Sequence, residues 1–259
     1  MVVPHGANNV TLTNHEGKRL GMEGDKMINE IPEAEVVDPV GFLSGASGNS
    51  IFIVPADADY QIAIAGNDKK PASNHTDDMH GVSVFSEGQS VTVDTPKLNA
   101  NETDTLSVHR DGPIKYKTGS GKIPPMSVAV DHENGGVLVH LSNMKADKGD
   151  EVELHVNRAA GHVLVQGGGK KADSYDIRVK HVGEKDDTVV EQKGVKFHAG
   201  ESHKIGLEQK PGAQQLAITR GKASPMSTTV AKPAVTPAAT PVATPVATPA
   251  TKPARSMKR

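Results

Sequence analysis

The chain has 259 residues, a formal net charge of −2, 36% hydrophobic residues, four Phe, three Tyr, and neither Cys nor Trp. The lack of cysteine excludes disulfides, thiolate zinc sites, iron–sulfur clusters and a Cys nucleophile. The length suits one large or two ordinary domains, and the scarcity of aromatics leaves Val, Ile, Leu and Ala to build the cores.

Alternation of apolar and polar residues recurs from end to end, bounded by Gly, Asn, Asp and Pro, and predicts an all-β chain. The first run of strands is expected at 9–13, 50–54, 60–65, 81–85, 90–94 and 103–109. A second run follows at 127–131, 136–141, 151–156, 162–166, 175–180, 188–192, 203–207 and 215–219. Short strands with turn chemistry between them predict two tandem, Ig-like β-sandwiches, over residues 1–122 and 123–221. The sequence GSGKIPP at 119–125 is the expected junction. Three pieces share a form, a polar turn with Gly and then a strand, at 87–93, 148–154 and 199–205.

From residue 222 the texture changes. Residues 236–249 read TPAATPVATPVATP, and the tail holds six basic residues and no acid. Proline at every fourth position removes backbone donors and blocks helix and sheet, so 222–259 is expected to be a disordered, extended Pro/Thr/Ala arm. At about 3.1 Å per residue such an arm reaches on the order of 100 Å. No stretch approaches the ~18 apolar residues of a membrane span, and the first residues lack the basic and apolar regions of a signal peptide.

Each cluster with a chemical look has a plainer explanation. Gly119-Ser-Gly-Lys122 suggests a phosphate loop, but Tyr116 stands where the first Gly belongs and Ile123 follows the Lys. Gly45-Ala-Ser-Gly-Asn49, with Ser47 central, nearly matches a nucleophile elbow but ends in Asn49. Asp57 and Asp59, Asp77 and Asp78 with His80, and Asp147, Asp150 and Glu151 form acidic turns without the order of a calcium loop. If calcium binds, Asp57 and Asp59 are the expected ligands. His140, His155 and His162 lie on neighbouring expected strands and so could approach one another. Three tyrosines, Tyr60, Tyr116 and Tyr175, make a poor platform for sugars or single-stranded nucleic acid. The expectation is therefore no catalytic residue, no cofactor, no resident metal and no specific nucleic-acid partner.

Two stretches carry a resemblance. His15-Glu-Gly-Lys-Arg-Leu-Gly21 followed by Ile28-Asn-Glu-Ile-Pro-Glu-Ala34 resembles a bacterial and archaeal extracytoplasmic module of the form T-D-P-x-G-R-R-x-G, a gap, then N-E-I-P-G-A. Residues 52–55 and 60–66 resemble its next feature, with Asn14 and His15 in place of Asp and Pro, Glu33 in place of Gly, and Phe52 and Ala58 also departing. Residues 174–182 and 195–203 are similar to segments downstream of that module in large secreted proteins, sometimes behind a lipase-like α/β hydrolase. The resemblance implies an accessory role outside the cytoplasm and no catalytic residues. Within it, Asn29, Glu30, Ile31 and Pro32 are expected to pin a loop, a structural duty.

The expected function is a non-catalytic structural, adhesion or accessory module of a secreted or cell-surface bacterial protein, its partner a protein or a cell-envelope polymer. Two alternatives stand beside it. One is the accessory region of a secreted hydrolase encoded upstream; the other is a soluble cytoplasmic binding protein.

Overall fold

The computed structural model describes residues 1–222 except 7–8, 24–25, 38–49, 67–79, 96–97, 111, 133–134, 168–172, 183–186, 199 and 211–212. The Pro/Thr/Ala arm, the Ser47 turn and the Asp77–Asp78 pair lie outside the described residues. Within them, every regular element is a strand.

Seven strands open the fold: β1 (Val2–His5), β2 (Asn9–Asn14), β3 (Arg19–Glu23), β4 (Lys26–Asn29), β5 (Glu35–Val37), β6 (Ile51–Ile53) and β7 (Tyr60–Ala65). Then the chain adopts a regular rhythm of hairpins. The first unit comprises β8 (Gly81–Ser86), β9 (Gln89–Val93), β10 (Thr103–Val108) and β11 (Ile114–Lys117). The second comprises β12 (Met126–His132), β13 (Gly135–Ser142), β14 (Glu151–Asn157) and β15 (His162–Gly167). The third comprises β16 (Asp173–Val182), β17 (Asp187–Phe197), β18 (Glu201–Lys210) and β19 (Ala213–Lys222). In each unit the first hairpin joins one sheet and the second joins the other. The result is a nine-stranded sheet, β17-β16-β13-β12-β9-β8-β1-β6-β5, and a ten-stranded sheet, β19-β18-β15-β14-β11-β10-β7-β2-β3-β4. All ladders are antiparallel.

The all-β chain with two packed sheets agrees with the sequence pattern. The expected division into residues 1–122 and 123–221 does not follow the sheets. β9 pairs with β12 from Val93↔Met126 to Gln89↔Val130, and β11 pairs with β14 from Ile114↔Leu154 to Lys117↔Glu151. Both sheets thus cross the supposed junction, and residues 1–225 form one compact unit. A single apolar core runs from Val2 and Val10 to Phe197 and Ile205. Pro124-Pro125 marks a crossover between sheets rather than a linker. Ile123 and Pro124 are buried, and the Pro125 carbonyl accepts the Asp94 amide at 2.9 Å. Proline suits that crossover because a chain passing between sheets needs no ladder donor.

The three units repeat at the level of single hydrogen bonds. Where β10, β14 and β18 begin, an acidic side chain accepts the amide three residues back: Glu102 from Asn99 (3.0 Å), Asp150 from Asp147 (2.8 Å) and Glu201 from His198 (3.0 Å). In every case the acid's own amide returns a bond to the carbonyl of that earlier residue, at 2.8, 3.0 and 3.0 Å. The pieces at 148–154 and 199–205 occupy these equivalent turns, whereas 87–93 sits in the β8–β9 hairpin and is not equivalent.

A second signature marks where the chain leaves the ten-stranded sheet: Gly66-Asn-Asp-Lys69, Gly119-Ser-Gly-Lys122 and Gly167-Gly-Gly-Lys170. A Cβ on the leading glycine would lie 2.0 Å from the Asn99 carbonyl oxygen, 2.1 Å from that of Thr103 and 2.1 Å from the Phe197 ring, respectively. Glycine is required there for close approach. The phosphate-loop look of residues 119–122 is the mark of this repeat.

Candidate functional site

The glycine-rich loop after β11 does bind an anion, but one of its own. Asp104 is fully buried in β10, and its Oδ1 accepts the amides of Gly119 (2.6 Å) and Ser120 (3.2 Å). Tyr116 donates its hydroxyl to the other oxygen. Thr118 Oγ1 in turn accepts the amides of Ser120, Gly121 and Lys122 at 3.2, 3.0 and 3.1 Å. Burial, with the Asp104 charge behind it, pushes the Tyr116 hydroxyl far above its ordinary range, so it stays a donor. The loop's donors are spent within the fold.

Asp59 is likewise engaged. Its Oδ1 accepts the Arg110 amide at 2.9 Å and its Oδ2 faces His109 Nδ1 at 3.1 Å. Burial alone would raise this carboxyl, but the Arg110 amide and His109 hold it below its usual range. Asp57 is exposed on the adjacent turn. Among the described residues no group of three or more His, Asp or Glu side chains is arranged to hold a metal ion.

The expected approach of three histidines is not realised. His140 belongs to β13 in the nine-stranded sheet, where it pairs with Ser127 Oγ at 2.9 Å, while His155 and His162 lie in β14 and β15 of the other sheet. His155 Nε2 contacts Glu153. His80 is buried. All three tyrosine side chains are buried too, Tyr60 with its hydroxyl donating to the Pro55 carbonyl at 2.9 Å.

The Asn-Glu-Ile-Pro turn follows β4. Asn29 Nδ2 donates to the Ala34 carbonyl at 3.2 Å, and Glu30 accepts the Arg19 amide at 3.0 Å and its guanidinium at 3.3 Å. Ile31 enters the core and Pro32 stays exposed. Asn14 Oδ1 ties the preceding hairpin by accepting the Glu16 and Lys18 amides at 3.0 and 2.9 Å. Glu33, however, sits at φ 62°, in the left-handed region. That conformation costs a non-glycine residue about 1 kcal/mol or more. Glu33→Gly is therefore expected to raise stability by roughly 0.5–1 kcal/mol, read as a higher urea midpoint at unchanged slope. An unchanged or lower midpoint would show that the Glu33 side chain contributes something the strain conceals.

A buried imidazole distinguishes the third unit. His203 on β18 is fully buried, with Nδ1 2.8 Å from the Tyr175 hydroxyl and its ring edge-on to Phe197 at 4.7 Å. Its Nε2 lacks a hydrogen bond, although a Glu201 oxygen lies 3.4 Å away, too poorly aligned to serve. Burial lowers the His203 pKa, opposed by Glu201 and aided by Arg220 and His198. Burial also lowers that of His5, against the pull of Asp94, and that of His162, aided by Lys204 and opposed by the Ala160 backbone. A histidine kept neutral by folding binds its proton more tightly when unfolded. Stability is then complete above the ordinary value of about 6.5 and declines as pH falls below it. The carboxyls of Glu201 and Asp176, held low by backbone amides, add to the loss only at more acid pH. His203→Gln should flatten the dependence between about pH 7.5 and 5 by up to one proton, measured as urea midpoints across that range. An identical slope in the variant would place the sensitivity elsewhere.

The outer face of the nine-stranded sheet carries the surface with most binding potential. Val2 and Pro4 turn inward, so Met1 and Val3 lie on the outer face. Val2 pairs with Phe52 and Val84, which brings Ile53, Phe85 and Met1 side by side on that face. Val37 pairs with Ile51 beside them. Met1, Val37, Ile53 and Phe85 are each 40–44% exposed. From this patch a row crosses the sheet in direct register through Val3, the buried Ser83 and the part-buried Thr92, Ser127 and His140 to the exposed Arg178 and Glu191. His5 Nε2 and Thr92 Oγ1 flank Ser83 Oγ at 2.8 and 2.9 Å, and Arg178 pairs with Glu191 at 3.2 Å. Sequence reasoning missed this surface. It depends on which strands lie side by side, and the Val2–His5 strand is short and contains Pro4.

The geometry defines a two-sheet antiparallel β-sandwich built from hairpin units. Comparison with family models, curated proteins and solved structures finds no match to this chain. Among the described residues no helix is long and apolar enough to cross a membrane.

Proposed function

We propose that this protein is a non-catalytic structural or adhesion module of a secreted or cell-surface bacterial protein, which engages a protein or envelope polymer through the outer face of its nine-stranded sheet. The observation that carries this reading is the exposed cluster of Met1, Val37, Ile53 and Phe85, continued by the Ser/Thr/His row. Contiguous apolar surface rimmed by polar groups marks interaction sites. The extracytoplasmic setting rests on the resemblance around Asn29–Pro32 and on the Pro/Thr/Ala composition of the tail. Asp104, Asp59 and Glu30 support the same view, since each is spent on holding a loop.

The test uses labelled full-length protein with intact bacterial cells and isolated envelopes, beside an Ile53→Ser/Phe85→Ser variant. Both residues are exposed, so the variant should keep its far-UV spectrum. Saturable binding that falls at least about tenfold in the variant is expected. Absence of binding, or equal binding by the variant, overturns the proposal. Recovery of the native protein solely in the cytosolic fraction would select the cytoplasmic binding alternative.

A further inference from the structure

The repeating units show what kind of surface the sandwich presents at its last strand. Inside the chain each unit docks on the free edge of the one before: β12 on β9 and β14 on β11, then β16 on β13 and β18 on β15. The inward side chains next to those edges are sealed by the docking. Ile114 and Tyr116 on β11 are 3% and 1% exposed, and Val163 and Val165 on β15 are 0%. On β19 the equivalent side chains, Leu216 and Ile218, are only half-buried. The last edge thus repeats a surface that the chain covers twice elsewhere.

The two terminal edges differ in a telling way. β18 and β19 pair without interruption over ten residue pairs, from Glu201↔Lys222 to Lys210↔Ala213. The β16–β17 ladder is broken by a bulge near Tyr175 and Ile177, and β17 carries Lys193 and Lys196. A bulge twists an edge away from further pairing. β19 lacks the bulge, so the receptive edge belongs to the ten-stranded sheet. Its exposed charges are Arg220 and Lys222, with no acidic residue on the strand. At the opposite limit of the same sheet lies β4, with Met27 36% exposed. The segment leading from β4 into β5 exposes Glu33 and Glu35 and sets Ala34 and Val36 at the margin of the core.

We infer that the β19 end of the sandwich is an interaction surface for the β4–β5 end of a second copy of this chain. Leu216 and Ile218 become covered in the contact, and Arg220 and Lys222 face Glu33 and Glu35. The contact joins unlike surfaces, so each added copy leaves one free end of each kind. Association is then open and head-to-tail rather than a closed dimer. A four-residue β4 limits the ladder, which makes the contact weak, in the micromolar to millimolar range, and dependent on salt. This inference does not rest on the outer-face patch; because Ile53 pairs directly with Glu35, the clean control is Phe85→Ser alone, three strands away, which should associate as the native chain does.

Sedimentation velocity of the full chain from about 1 µM to about 1 mM, at about 50 and about 500 mM salt, tests it. The expected result is a weight-average mass that rises past the dimer with concentration and falls with salt. Arg220→Glu/Lys222→Glu should weaken association at least about tenfold, and Glu33→Lys/Glu35→Lys should do the same. Combining all four changes should restore it. A monomer at all concentrations overturns the inference, as does growth that stops at a dimer. It is equally overturned by charge-reversal variants that associate like the native chain while keeping its far-UV spectrum.

Discussion

Asp104→Ala is expected to cost about 3–5 kcal/mol of folding stability, the scale seen when one partner of a buried charged network is removed. The substitution removes the acceptor of the Gly119 amide and of the Tyr116 hydroxyl, while the Ser120 amide keeps its bond to Thr118 Oγ1. Each buried orphan costs roughly 1–3 kcal/mol. Natural domains hold only about 5–15 kcal/mol in total, so the variant should lose a large share of its stability and unfold at a much lower urea concentration. Asp104→Asn is the sharper comparison. Its carbonyl oxygen still accepts the two amides while its amide donates to the Tyr116 oxygen, and the cost falls to about 1–2 kcal/mol, the charge assistance alone. Urea titrations at pH 7 distinguish the two. A loss below about 1 kcal/mol for the alanine variant would mean that the loop finds other acceptors and that the buried carboxylate is not its organiser.

Gly167→Ala is the second large effect, and its cause is steric. The added Cβ would sit 2.1 Å from Phe197 Cε1 and 3.1 Å from its Cζ. The ring is not free to swing away. Phe197 is 4% exposed, T-shaped against Tyr175 at 5.8 Å and against His203 at 4.7 Å. Relieving the clash means displacing a packed cluster that also holds the Tyr175–His203 hydrogen bond. Overpacking of this kind costs about 1–3 kcal/mol, and the rigidity of the cluster puts the value at the upper end. Phe197→Leu provides the check. Alone it loses about 1–2 kcal/mol of packing, but with Gly167→Ala the loss should be less than the sum of the two. Strict additivity would separate the glycine from the ring and refute the steric account.

Much of the fold was legible because strand formation is written locally. Val10, Leu12, Val91 and Val93 alternate with polar neighbours, and Ile62, Ile64, Val137, Val139 and Leu141 with polar, Ala, Gly or Leu neighbours, and each is buried while its neighbours are less so. That alternation fixed the all-β class, most strand positions and the inward face of each strand without reference to any partner. Strands that lacked clear alternation or sat beside punctuation were missed: β1 with Pro4, the short β3, β4 and β5, and β11 behind Pro113. The Asn29–Pro32 turn was legible as a loop pinned by side chains, since Asn and Glu beside Ile-Pro suggest local bonding. Its acceptor at Ala34 is five residues away, but its partner Arg19 is eleven residues away.

The tertiary structure decided what those local signals could not carry. Pro124-Pro125 reads as a linker because proline ends strands; only the β9–β12 and β11–β14 ladders show that the chain crosses between sheets there. Gly119-Ser-Gly-Lys122 has the donors of an anion site, but its acceptor, Asp104, lies fifteen residues upstream of Gly119 on another strand. His203 looks like one more polar residue until Tyr175, twenty-eight residues earlier, and Phe197 enclose it. The apolar outer patch joins Met1, Ile53 and Phe85, which are remote in sequence. The physical reason is common to all four. A residue's side of the sheet follows from its own neighbours along the chain, because the pleat alternates at every residue. Which strand lies beside it depends on long-range ladders whose backbone hydrogen bonds are the same for every sequence.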